Sequence, residues 1–296
     1  PLDLFICSTA KKGCGLVQLG HSVNKDILYR HYWYNSSTNE SMINELKNIS
    51  KNALNFVEIK KDSLVVDIGS NDNTLLSCYK NKKLIKVGFE PSLNTKKKTL
   101  TNSVVFKNYF NAKDFIGKFK NQKAKIITAI GMFYDLESPS EFLEDVSKIL
   151  DINGVFIIQM MYLPFLLKNY AFDGICHEHL TYFSLKPLIK LLDKNGLCIF
   201  KIDKRMEINE GSLRFYIKKK NNLKFKIKKN QINNLIKLEN KMNVYNKKTY
   251  LIFYQKIKSI KKNIKNLIKN EIKKGKVFHG YAASTKGNTL LQFFEL

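Results

Sequence analysis

A chain of 296 residues with 44% hydrophobic content is long enough to bury one large core or two modest ones, which excludes disorder and fibre. Its net charge of +26 invites a nucleic-acid reading, but only Arg30, Arg205 and Arg214 carry the planar fork that grips phosphate and guanine edges. No specific nucleic acid is expected, and the lysines read as a solvated surface that draws in anionic substrates at low salt.

Pro1 to Cys7 reads as a strand entering a cysteine turn, and Leu296 follows closely on a turn motif, so the sequence is expected to be the middle of a longer protein. Five cysteines without repeating spacing argue for thiols or a metal rather than disulfides. From Asn44 to Phe56, Leu46, Ile49, Leu54 and Phe56 fall on one helical side. The run Leu64-Val65-Val66-Asp67-Ile68-Gly69 then reads as a buried parallel strand feeding a loop. Further strands are expected at 84–89, 103–106, 124–130 and 154–159, separated by helical stretches such as Pro139 to Leu150. Strands alternating with helices predict a doubly wound parallel α/β sheet. Gly154 to Met161 and the other apolar runs fall short of the roughly 20 residues of a bilayer span, and no signal peptide opens the chain, so a cytoplasmic protein without a membrane partner is expected. Residues 218–276 hold twenty lysines against Glu239 and Glu271, and read as an amphipathic helical connector. A new strand and turn are expected from Lys276 to Tyr281. The organisation is thus 1–40, an N-terminal module; 41–200, the sheet domain; and 201–296, a connector with an incomplete α/β unit.

The loop Asp67-Ile68-Gly69-Ser70-Asn71-Asp72-Asn73-Thr74 lies at the carboxyl end of the first sheet strand, where open α/β sheets bind ligands. It has one Gly, so both the dinucleotide fingerprint and the phosphate loop are absent. An acidic, polar loop suits a cofactor with a positive centre and no pyrophosphate, as in S-adenosylmethionine. Glu90, 21 residues after Gly69, stands where an acid accepts ribose hydroxyls. The bland alternative is a capped turn with Asp72 at a helix start.

Cys176-His177-Glu178-His179 is the densest titratable cluster. A zinc site would need another ligand, because an H-x-H pair is weak. Otherwise one histidine is a core residue and the other a surface one, or one imidazole is a general base tuned by the carboxylate.

Taken together, Cys14 to Leu19, Tyr32 to Ser37, Asp67 to Leu76, Cys176 to Ser184, Gly211 to Arg214 and Gly280 to Leu291 resemble, in order and spacing, the sugar C-methyltransferases, which methylate a carbon of nucleotide-linked keto sugars. The resemblance implies an N-terminal zinc module, a central class I methyltransferase (Rossmann-like) sheet and a C-terminal α/β domain. It implies S-adenosylmethionine held by Asp67, Gly69, Ser70, Asn71, Asp72, Thr74, Glu90, Gly131 and Met132. Cys7 and Cys14 would be half of a four-cysteine structural zinc site, incomplete here. His179 matches the base, beside Glu178 and His177, with Tyr34 brought over the site. The nucleotide-sugar substrate would meet Cys176, Tyr182, Ser212 and Arg214, and its diphosphate the turn with Ser284, Thr285, Lys286 and Asn288. Where the best-known members carry a Tyr, this chain has Cys176, and where they carry a His after the fourth strand, it offers Tyr134 or Asp135. An RNA methyltransferase and an inactive scaffold are the alternatives.

Overall fold

The computed structural model describes residues 2–208, 211–280 and 284–296. An N-terminal hairpin, β1 (Leu4–Ile6) and β2 (Val17–Leu19), is followed by a short helix α1 (Lys25–Tyr29) and by α2 (Glu40–Leu54). Asn39 starts α2 by accepting the Met42 N–H on its side chain, which satisfies one of the free donors of the first turn. The sheet domain then runs β3 (Ser63–Ile68), α3 (Thr74–Cys78), β4 (Leu84–Phe89), β5 (Ser103–Phe106), α4 (Ala112–Phe119), β6 (Ala124–Ile130), α5 (Pro139–Ile149) and β7 (Leu150–Met161). After α6 (Leu163–Lys168) come β8 (Thr181–Tyr182), α7 (Leu185–Lys194), β9 (Leu197–Arg205) and β10 (Ser212–Lys219), and then α8 (Lys229–Lys241), α9 (Lys247–Lys273) and α10 (Thr285–Phe294).

The seven-stranded sheet has the order β5-β4-β3-β6-β7-β10-β9. Strands β5 to β7 pair in parallel, and β10 lies antiparallel to both its neighbours. The order reverses at β3, which places a crevice over the carboxyl ends of β3 and β6. Because alternate side chains of a strand face opposite ways, β3 sends Leu64, Val66 and Ile68 to the layer with α4, α5 and α7, and Val65 to the layer with α2 and α3. Every residue of β3 is buried, as its unbroken β-branched run predicts.

The doubly wound fold is as expected, but the sheet does not end near residue 200. β9 and β10 carry it to Lys219, and the helical segment starts after that. The lysine-rich texture conceals β10, whose Arg214, Tyr216 and Lys218 are buried on one face. Residues 276–280 form no strand, and Tyr281 lies outside the described residues. A second sheet, β1-β2-β8, packs with α6, α9 and α10 around Val17, Leu166, Tyr182, Phe253 and Phe294. No helix among the described residues is long and apolar enough to cross a membrane.

Candidate active site

The loop after β3 is built by two turns that face each other. Gly69 has φ +70° and Gly131, after β6, has φ +67°, a region that costs a side-chain-bearing residue energy. A Cβ on Gly69 would stand 3.4 Å from Met132 Cγ. Gly88 is required for a different reason: a Cβ there would be 2.7 Å from Ser70 Oγ. Asp67 is buried, accepts the Thr128 hydroxyl at 2.6 Å, and is pushed up to about 8 by burial. Glu90 accepts the Asn71 N–H on one carboxylate oxygen at 2.7 Å and the Ser92 N–H on the other at 2.8 Å. These two bonds fix the carboxylate while leaving each oxygen a second lone pair, and burial raises its pKa against their pull.

Asn71 and Asp72 do more than line the loop. The Asn71 side chain accepts the Ser36 N–H at 2.9 Å and donates to the Tyr34 carbonyl at 2.9 Å. Asp72 accepts the Ser37 N–H at 2.9 Å and the Thr74 N–H at 3.1 Å. Burial acts to raise the Asp72 pKa, but these hydrogen bonds outweigh it and hold the group below its ordinary value. The N-terminal segment 34–37 is thereby clasped onto the loop. Ser70 Oγ and Thr74 Oγ1 are buried without a protein partner, so the loop retains capacity for a polar ligand. The donor set fits S-adenosylmethionine: fixed carboxylate oxygens for ribose hydroxyls, turns open at two glycines, and acids near a cation.

The second cluster follows α6. His179 Nδ1 lies 2.7 Å from the Gly174 carbonyl. A carbonyl only accepts, so Nδ1 carries a proton and the basic lone pair of the neutral ring is on Nε2. The ring stands edge-on to Tyr134, centroids 4.5 Å apart. Cys176, Glu178 and His179 bring their polar atoms within 4.8 Å of one another. Burial keeps the Cys176 thiol neutral, at about 11, and raises Glu178, against a hydrogen bond from Thr285 at 3.4 Å. His177 is exposed and its ring is 5.5 Å from that of His21, so it leaves the cluster.

A run of tyrosines joins the two clusters. Rings of Tyr29 and Tyr32 are 6.0 Å apart, those of Tyr32 and Tyr34 are 6.4 Å apart, and the Tyr29 hydroxyl donates to the Glu178 carbonyl at 3.2 Å. Burial, with the Glu178 carboxylate, drives the Tyr29 and Tyr32 pKa values far up, so both phenols remain donors. Tyr182, on β8, has its hydroxyl buried without a partner.

Other expected ligand residues lie elsewhere. Arg214 is 1% exposed between β10 and α2, where its guanidinium meets Gln159, Asn48 and Glu45 at 2.8, 2.8 and 2.7 Å. Arg205 pairs with the same Glu45. Ser212 donates to the Ile208 carbonyl. Arg214 and Ser212 are thus both engaged by partners within the protein. Ser284 caps α10 through the Gly287 N–H at 3.0 Å, and Thr285 brings the first turn of α10, with Lys286 and Asn288, to Glu178. Cys7 and Cys14 adjoin, with the Cys14 N–H donating to Cys7 Sγ at 3.3 Å, which lowers the Cys7 pKa. Among the described residues no third ligand joins them, so the pair does not close a zinc tetrahedron.

The sequence did not point to the clasp by Asn71 and Asp72, nor to the buried Glu239, which accepts Tyr162 at 2.6 Å, Tyr245 and the Leu185 N–H. Glu239 did carry a signal, as one of two acids in a stretch of twenty lysines. The strand order and the acidic turn at the reversal of the sheet define a class I, Rossmann-like S-adenosylmethionine-binding transferase.

Residues 38–201 match the family described as methyltransferase domain, and residues 207–296 match the C-methyltransferase C-terminal domain. The chain belongs to the methyltransferase family, and it is an S-adenosylmethionine-dependent methyltransferase. It is 26% identical over 295 residues to the C-methyltransferase NovU of Streptomyces niveus, an alignment spanning 98% of this chain and 68% of that protein. Solved structures similar to it include the putative methyltransferase in complex with the Trm112 activator of Haloferax volcanii, with TM-score 0.46, 14% identity, and coverage of 60% of this chain and 94% of the other. Another is the cyclopropane synthase MmaA2 of Mycobacterium tuberculosis, with TM-score 0.44, 12% identity, and coverage of 64% and 92%.

Proposed function

We propose that the chain methylates a carbon next to the ketone of a nucleotide-linked keto sugar, with His179 as the base. The observation that carries this reading is the tyrosine run from the Asn71 clasp to Glu178, which joins the cofactor loop to the imidazole cluster. His179 Nε2 takes the proton, the electron pair moves to the ketone oxygen to give an enediolate, and the carbon then attacks the methyl group as the carbon–sulfur bond breaks. S-adenosylmethionine supplies an electrophilic methyl when bound; Glu90 and the turns at Gly69 and Gly131 hold it. Glu178 faces the charge that builds on the imidazole, the tyrosine rings exclude water, and the neutral Tyr182 phenol, buried without a partner, donates to a substrate oxygen. The first turn of α10, with Lys286, suits the diphosphate.

His179→Ala is expected to bind S-adenosylhomocysteine normally by calorimetry yet lose about 10²–10⁴-fold in methyl transfer from isotope-labelled cofactor to thymidine- or uridine-diphosphate-linked 4-ketohexoses. His177→Ala should stay near wild type. Equal loss in both variants, or none in either, refutes the assignment.

A further inference from the structure

Asp135 ends the 3-10 turn Phe133–Asp135 after β6, and its Oδ1 is cut off from solvent without a hydrogen-bond partner in the protein. A buried polar atom left without a partner costs about 1–3 kcal/mol, so its retention beside the imidazole cluster calls for a partner that arrives with a ligand. Its carboxyl group is electrostatically coupled to Glu178 and Cys176 from the loop after α6, to Tyr182 from β8, and to Tyr29 and Tyr32 from the N-terminal segment. Tyr134 precedes it on the same turn and contacts His179. The phenols and the thiol are held neutral by burial, and after burial itself the Glu178 carboxylate acts to keep Asp135 protonated. Two coupled carboxyl groups in a buried setting do not both ionise readily.

We infer that Asp135 is a catalytic residue whose protonated carboxyl group donates a hydrogen bond to the ketone oxygen of the acceptor, the atom that gains negative charge when the neighbouring carbon gives up its proton. The inference rests on the reading of the site as one that enolises a keto sugar, and it names the oxyanion donor for that step. The proton on Asp135 remains on its own oxygen: the carbon proton goes to His179, the electron pair to the ketone oxygen, and the Asp135 O–H shortens onto that oxygen as charge develops. Burial and the nearby Glu178 carboxylate drive the Asp135 pKa well up, which supports a neutral carboxyl near neutral pH.

Three measurements test the assignment on the full chain. Infrared difference spectra at pH 7 should contain a protonated-carboxyl stretch that Asp135→Asn removes. With S-adenosylhomocysteine bound, deuterium exchange at the carbon beside the ketone of a thymidine- or uridine-diphosphate-linked 4-ketohexose should fall about 10²–10³-fold in Asp135→Ala, the cost of one oxyanion donor. Asp135→Asn, which keeps an N–H donor that does not titrate, should recover much of that loss and lack the alkaline decline expected of wild type, a change that a merely structural role would not produce. Calorimetric affinity for S-adenosylhomocysteine should be unchanged in both variants. Absence of the infrared band overturns the inference, as does wild-type exchange that Asp135→Ala leaves intact, and in that second case the function proposed above stands. If wild type binds S-adenosylhomocysteine but exchanges none of these sugars, the keto-sugar reading fails and takes the inference with it.

Discussion

Replacing Asn71 separates the clasp from the loop it grows out of. The Asn71 side chain contributes two hydrogen bonds near 2.9 Å, one from the Ser36 N–H and one to the Tyr34 carbonyl. At about 0.5–1.5 kcal/mol each, their removal should cost about 2 kcal/mol, or roughly 30-fold in the equilibrium for lifting segment 34–37 off the loop. Asn71 also sits at φ +50°, where Gly is at ease and Ala adds up to about 1 kcal/mol of backbone cost. Asn71→Gly should therefore show the clasp energy alone, and Asn71→Ala a larger global loss on top of it. The assay is native-state hydrogen exchange at Ser36 and Ser37, whose amides both leave the loop when the segment lifts. A Ser36 amide that exchanges equally slowly in wild type and Asn71→Gly refutes the clasp.

Glu90→Gln places a side-chain amide against the Asn71 and Ser92 N–H groups and removes charge-assisted acceptors, so S-adenosylhomocysteine should bind about 10²-fold more weakly by calorimetry with little change in melting temperature. Asp67 is pushed up to about 8 from an ordinary 3.8; because the folded value is the higher one, its contribution to stability is full below about pH 4 and is lost as pH rises through 8. Asp67→Asn, which keeps the Thr128 bond, should flatten that fall in urea-unfolding free energy, and an unchanged pH slope would refute it. Arg214→Met should lower stability by about 3–5 kcal/mol, because it breaks a buried ion pair, without raising the acceptor KM; a raised KM at full stability would return Arg214 to the substrate.

Much of the sheet was legible because local signals and burial agree there. The run from Leu64 to Ile68 has no polar alternation since both faces are covered, and Gly69 follows where the turn needs a positive φ. β10 was not legible, because Arg214 and Lys218 sit at buried positions where an apolar residue would announce a central strand. Each is tolerated by partners distant in sequence: Glu45 for Arg214, and the Asn222 and Phe225 carbonyls for Lys218. The separation of His177 from His179 was equally hidden, since neighbouring histidines two apart take their directions from the loop. The Asn71 clasp joins residues 35 positions apart, and no spacing rule reports such a contact.

In a chain with twice as many basic as acidic residues, the fate of each buried acid distinguishes structure from chemistry. Glu45 is met by two guanidinium groups, and Glu239 by two phenols and a backbone N–H, so both are fully engaged in holding elements together. Glu90 and Asp72 are engaged by backbone donors, which fixes their oxygens but leaves lone pairs to spare. Asp135 alone of these has a buried oxygen without a donor, and it is electrostatically coupled to another carboxyl group. A buried carboxyl oxygen left without a donor, coupled to a second carboxyl group, is what a site needs if it is to hold a proton ready.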